Sequence, residues 1–503
     1  MLPVSSHDEA REDRYPEERS DARTRWLVIT ASLLVVLGAK IWLIAVYGSA
    51  TPFWDQWDAE AAALYPRYLA GTLHFPDLLA SHNEHRILLT RLVALAVFVG
   101  SGRWDPILQM MINALLHTAG IGLLLVVLSR ILDRAGTALL AFFFATAFAV
   151  PFGWGNALSA FQSQFYLLVL LGPLALLLFY NAVAWSARWW LATIVAVAAY
   201  FSIAPGALTV VAFIGVAITQ LVVGRRAGRS EWLGVALHVL LAAALIYDVP
   251  RIPEHDVVRV HSALAFMEAL LAVASWPVAS QDGSLLSRSI GALLLYTPVL
   301  IMTLQTLRKR PPLSHPLWLL LGLAGWIGAL LAAAAYGRGM SALETRYSDI
   351  FIIGVVLNAA CLFWLVRDEA GAGRYAFAAV WLLAVVMGGG GMAFDDVARG
   401  LAWRRDTAAI ETENVKQFIA TGNASVLQNK PPFDIPFPSA EKLIDYLSDP
   451  AIRAILPANL RGEVEVHSRR DIVLHHGALL IPLGLALFMI AGMAGRAPMR
   501  PRR

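Results

Sequence analysis

The sequence predicts an all-α polytopic membrane protein. It has about twelve transmembrane helices, interfacial helices in the first outer loop and a small helical extra-membrane segment. Three observations predict this. The chain is 58% apolar and only 15% charged, which no ordinary soluble domain matches. Its apolar residues fall in runs long enough to cross a hydrocarbon core of about 30 Å. Arginines and lysines punctuate those runs in short loops. The net charge of +4 is small and the arginines are scattered, which argues against nucleic acid as a partner. The single cysteine, Cys361, lies inside a predicted span, so no intramolecular disulfide can form.

The elements follow in order. Residues 1–25 are polar and of mixed charge and read as a disordered cytoplasmic tail. Trp26 to Tyr47 is too long for the apolar core of a signal peptide and reads as a retained anchor. Further spans are expected at roughly 106–128, 136–151, 163–183, 189–204, 206–224, 232–249, 289–307, 316–336, 350–366, 375–393 and 474–495. Two more apolar stretches, near 86–102 and 262–279, could cross or lie in the interface. If neither crosses, every short basic loop falls on one side: Arg130 with Arg134, Arg188, Arg225 with Arg226 and Arg229, Arg308 to Arg310, and Arg367 with Arg374. The charge rule therefore makes both stretches interfacial or re-entrant and both termini cytoplasmic. The organisation reads as tail 1–25, transmembrane domain 26–394, outer helical segment 395–473, final span 474–495 and basic cytoplasmic tail 496–503.

The outer face collects the unusual chemistry. Directly after the first span comes Phe53-Trp54-Asp55-Gln56-Trp57-Asp58-Ala59-Glu60. Carboxylates beside hydrocarbon are costly without a task or a partner. Asp55 and Asp58 are three apart and would share a helix face; they could equally cap an interfacial helix, with Trp54 and Trp57 as belt aromatics. The same loop carries His82-Asn83-Glu84-His85-Arg86. No cofactor is required by these residues, and a divalent cation, magnesium or manganese, remains an option at His82, Glu84 and His85. Gln162 and Gln164 mark an amide-rich second loop. Arg338, Arg346 and Tyr347 lie in a later one, where a guanidinium is matched to phosphate but could also anchor a span end. Spans such as 350–366 and 375–393 carry almost no ionisable groups and no internal repeat is found, both against ion-coupled transport.

This layout resembles the GT-C superfamily of integral-membrane glycosyltransferases: a first span, a long outer loop opening with an acidic motif, interfacial helices in it, many spans, and a basic loop before a late span. The resemblance covers Trp26 to Arg367. It departs from the family in lacking an adjacent Asp-Asp or Asp-Glu pair at the loop start. It implies a bacterial-type inner-membrane enzyme that takes a sugar from a polyprenyl-phosphate donor to a glycan or lipid acceptor on the outer, periplasmic face, with inversion. Asp55 or Asp58 would match the first-loop acid, and Arg338 or Arg346 the donor-phosphate contact.

Transfer of this kind needs a carboxylate to take the acceptor proton, for which Asp55, Asp58 and Glu84 are the candidates. It also needs a cation at the leaving phosphate. His82, His85, Arg86, Gln162, Gln164 and Tyr347 would orient the substrates, and Trp54 or Trp57 would stack on a sugar. Two rivals are a polysaccharide polymerase or ligase using lipid-linked oligosaccharide, and a lipid-linked glycan transporter or flippase. Arginine parity yields a direct test. Reporters fused after Arg310 or Arg367 should report cytoplasm, and one within 400–470 the outer compartment; finding residue 440 in the cytoplasm overturns the orientation.

Overall fold

A backbone in hydrocarbon must close its hydrogen bonds within its own segment, and the apolar runs accordingly form helices. The computed structural model describes residues 14–279, 282–368, 371–463 and 469–494; the predicted basic tail 496–503 and residues 1–13 lie outside these. Helix α1 covers Arg14–Tyr47, so residues 14–25, expected to be disordered, are helical. It is followed by α2 (Leu88–Ser101), α3 (Pro106–Leu128), α4 (Arg134–Ala149), α5 (Ser163–Phe179) and α6 (Ala187–Tyr200). Then come α7 (Leu208–Val222), α8 (Arg229–Tyr247), α9 (Ala263–Ser275), α10 (Leu285–Lys309) and α11 (Leu317–Arg338). The last are α12 (Ser348–Asp368), α13 (Ala372–Met392), α14 (Ala398–Thr421), α15 (Ala440–Ser448) and α16 (Leu480–Ala494).

Among the described residues, ten helical segments are long and apolar enough to cross a membrane, and the chain is an all-α polytopic membrane protein. Two of the twelve predicted spans are shorter than expected. Helices α4 and α6 have 16 and 14 residues, about 24 and 21 Å at 1.5 Å per residue, against a core of about 30 Å. Their starts are fixed by side-chain caps, Asp133 accepting from the Gly136 N–H and Ser186 from that of Trp189. Helices α2 and α9, with 14 and 13 residues, are also too short to cross at full depth.

Helix α1 packs on α3, α4 and α16. The first and last helices meet with their backbones close together: a Cβ on Gly484 would fall 2.6 Å from the Ala31 carbonyl oxygen. Gly172 in α5 likewise leaves room for the ring of Trp326, which a Cβ would meet at 2.4 Å. Where lipid tails are as apolar as the side chains, such close approach is what holds helices together.

The loop after α1 and the segment after α13, far apart in the sequence, form one body with its own core. Trp57, Tyr65, Phe98 and Trp104 pack with Val415, Phe418, Leu443, Leu447 and Leu456. Polar ties reinforce the seam. The Tyr446 hydroxyl donates to Asp58 at 2.6 Å, the Trp54 N–H to the Pro436 carbonyl at 2.7 Å, and Arg470 to both Asp105 oxygens at 2.7 Å. Glu60, 1% exposed, lies at the base of this core. It accepts from Gln56 at 3.0 Å, Tyr65 at 3.3 Å, Trp104 at 2.8 Å and Gln109 at 2.8 Å. Burial raises its carboxyl pKa and these bonds oppose the rise. Glu60→Ala should strand at least the Trp104 and Gln109 donors, each at a cost of about 1–3 kcal/mol. Thermal unfolding in detergent should show a clearly lowered midpoint for Glu60→Ala and a smaller loss for Glu60→Gln.

Candidate active site

A two-residue hairpin organises the polar end of the bundle. Its strands are β1 (Ser81–His82) and β2 (His85–Arg86), with His82 opposite His85. Asn83, at φ 50°, takes the left-handed conformation that such turns require and that asparagine tolerates. The other turn residue is Glu84, which is only 7% exposed. The Arg338 guanidinium meets both its oxygens, at 3.4 and 3.3 Å, and His255 Nδ1 lies 2.6 Å from Oε1. Burial works against ionisation of Glu84, but the hydrogen bonds and charges of Arg338 and His255 outweigh it and hold the pKa at about 2.

Glu84 forms part of the rim of a cavity of about 390 Å³. Arg251, Arg259, Arg338, His85 and Tyr347 share that polar rim, and among the described residues Glu84 is the only carboxylate lining it. The wall below is apolar and drawn from several helices: Phe165 and Leu168 of α5, Leu208 of α7, Ile246 of α8, Leu330 of α11 and Ile350 of α12. Burial pushes the His85 imidazole down to about 4, so it is neutral at physiological pH.

Asp55 joins this end through the same hairpin. His82 Nε2 lies 3.2 Å from Asp55 Oδ1, and the Asp55 side chain is 34% exposed. The preceding Trp54 has φ 50°, a conformation rare for an aromatic residue. Three contacts from the C-terminal segment hold it there: the Pro436 carbonyl, the Phe433 ring stacked at 5.4 Å, and Arg404 at 4.0 Å over neighbouring Phe53. A turn of π-helix, Trp57–Ala62, follows directly.

The other predicted residues go elsewhere. Asp58, in the π-helical turn, accepts from the Tyr446 hydroxyl, whereas Asp55 lies against His82. Trp57 is fully buried and donates to the Pro52 carbonyl at 2.9 Å, which leaves no ring face for a sugar. Arg86 is committed to Asp248 through two bonds of 2.9 and 3.0 Å. Arg346 pairs with Glu344 at 2.8 Å and does not line the cavity. Gln164 donates to Gln162 at 3.1 Å, outside the cavity. His82 lies against Asp55 and Glu84 against His255 and Arg338, and among the described residues no three His, Cys, Asp or Glu side chains form a metal-holding group. The residues present do not fit the cation option as a ligand set.

Three ionisable residues in the bundle correct the picture of plain spans. Lys40 of α1, His117 of α3 and Asp349 of α12 are 9%, 0% and 3% exposed. His117 Nε2 lies 3.7 Å from Asp349, the Asn156 amide donates to Asp349 at 3.1 Å and to the Arg346 carbonyl at 2.6 Å, and Lys40 shares a small cavity with Asp349. Each is a single residue within or at the end of an apolar run, so averaged hydropathy hides it. The usable signal was the rarity of intramembrane charge itself.

No family model matches the sequence and no curated protein resembles it. Among solved structures, the chain is similar to the archaeal oligosaccharyltransferase AglB from Archaeoglobus fulgidus in complex with an inhibitory peptide and a dolichol-phosphate. Identity is 13% and the TM-score 0.44, over 87% of this chain and 61% of that one. The chain thus spans about three fifths of that structure's length.

The hairpin's titration sets a pH dependence. His85 protonates near 6.5 in the unfolded chain and about 4 when folded, Glu84 near 4.5 unfolded and about 2 folded. In both windows the unfolded chain binds more protons, so stability falls as pH drops from 6.5 through 4 and again from 4.5 through 2. Unfolding midpoints of the wild type should decline over that range. Those of Glu84→Gln should be lower at neutral pH and converge on the wild type in acid; a constant offset between the two would contradict the assignment.

Proposed function

We propose that the chain is a membrane glycosyltransferase that moves a sugar from a polyprenyl-phosphate donor to a glycan or lipid acceptor. By arginine parity, the polar end lies on the outer face, which in a bacterial-type envelope is periplasmic. The cavity supports this best. Three arginines and one already neutralised carboxylate at its rim suit a phosphate, and a wall built from several spans suits an isoprenoid tail.

In this reading the acceptor hydroxyl loses its proton to Asp55 while its oxygen bonds to the anomeric carbon. The anomeric carbon–oxygen bond to phosphate breaks in the same step, and the electron pair leaves with the polyprenyl phosphate. A single displacement inverts the anomeric centre. Asp55 is the better base because Glu84, held at about 2, is a weak one. Glu84 instead orients Arg338, which with Arg251 and Arg259 stabilises charge growing on the leaving phosphate. His82, against Asp55, fixes the direction of the carboxylate, and Tyr347 lines the donor pocket.

Asp55→Asn is nearly isosteric and should cut turnover by about 10²–10⁴-fold, with expression and donor binding preserved. Membranes assayed with labelled lipid-linked sugar provide the measurement; near-normal transfer removes Asp55 from the mechanism. In the same assay Arg338→Ala should lower donor use, and Arg338→Lys should recover only part of it because lysine lacks the two-pronged fork.

A further inference from the structure

An aromatic row extends outward from Asp55. Trp54 stacks on Phe433 at 5.4 Å, Phe433 meets Trp403 edge-on at 5.0 Å, and Trp403 meets Trp154 at 6.3 Å. The row joins three segments distant in sequence. Yet its indoles are not a hidden core: Trp54 is 37% and Trp403 43% exposed. Both Trp54 (φ 50°) and Phe433 (φ 71°) are held in the left-handed region, a costly conformation that is retained where surrounding structure demands it.

A tryptophan belt at the lipid interface would be the ordinary explanation, but Trp403 stands beyond the length of helix that crosses the core. Helix α13 has 21 residues and ends at Met392, so it already crosses a core of about 30 Å. Trp403 lies about 16 Å farther along the helical path at 1.5 Å per residue. Arg404 pairs with Glu411 at 2.9 Å, Arg405 with Asp406 at 3.1 Å and Arg399 with Asp396 at 3.4 Å, while Asp434 and Asp55 stand directly beside Phe433 and Trp54. Such a surface offers flat apolar rings without excess positive charge, which suits the C–H faces of neutral pyranoses and neither a phosphate nor an acidic sugar.

We propose that Trp54, Phe433 and Trp403 form a platform for a neutral glycan chain, and that the acceptor is such a chain rather than a lipid alcohol. Its end reaches Asp55, one residue from Trp54, while its preceding sugars lie over Trp403. The acceptor assignment rests on the transferase reading; the glycan site does not.

The test uses the full chain in nanodiscs and a panel of neutral gluco-, manno- and galacto-hexasaccharides. Saturation-transfer NMR should show contact with sugar ring protons for at least one of them. Trp403→Ala should bind it roughly tenfold more weakly, and Trp403→Phe should keep most of the affinity. In the transfer assay Trp403→Ala should raise the acceptor KM and leave the donor KM unchanged. No contact with any hexasaccharide, or equal binding by Trp403→Ala, overturns the platform. So does quenching of Trp403 fluorescence by brominated lipid, which would make it a membrane anchor. If Trp403→Ala weakens sugar binding while Asp55→Asn transfers normally, the platform stands and the assignment of the base fails. If Asp55→Asn abolishes transfer while Trp403→Ala leaves the acceptor KM unchanged, the base stands and the platform fails.

Discussion

Trp57, Tyr65 and Trp104 pack in one apolar core with Phe418, Leu443 and Leu456, and the placement of Asp55 follows from that union. The carboxylate stands at the end of an extended entry whose backbone, left to itself, would not adopt φ 50° at a tryptophan. The C-terminal segment supplies the carbonyl, the stacking ring and the guanidinium that hold it there. Removing that segment would leave every residue of the first loop in place in sequence and the site without its geometry.

Charge at the cavity rim follows a second constraint. Three arginines near one another repel, and a single carboxylate, Glu84, lies among them. Its two-point contact with Arg338 directs that guanidinium, while Arg251 is exposed and Arg259 pairs only with exposed Asp256 at 2.8 Å. The rim thus retains positive character where the apolar wall begins. A phosphate with a hydrocarbon tail meets both halves at once, and a soluble anion would meet only one.

The helical membrane class was plain in the sequence because apolar run length reports it directly. Glu84 and Arg338 were also legible, as polar residues at the ends of apolar runs. The seam between the first loop and residues 412–460 was not, since nothing local in either segment names the other. The places of Asp58 and Trp57 are hidden for the same reason: Tyr446 and the core that take them up belong to the distant C-terminal segment. Arg346 failed differently. Its chemistry suits phosphate, but Glu344, two residues away, claims it first. Lys40, His117 and Asp349 escaped because each is alone in its run, and their meeting is a property of three-dimensional packing.

Lys40 also bears on how the molecule is made. It lies in the first span, whereas the carboxylate sharing its cavity belongs to α12, more than three hundred residues later in synthesis. A lysine left alone in hydrocarbon is costly and lifts its ammonium toward the headgroups. While the chain is emerging, α1 therefore has reason to ride shallow or tilted, settling to its final depth only when Asp349 arrives. Helix α16, which packs on α1 through Gly484, comes later still. The surroundings of α1 are thus among the last to be completed, and defects in late helices should surface as mis-seating of the earliest one.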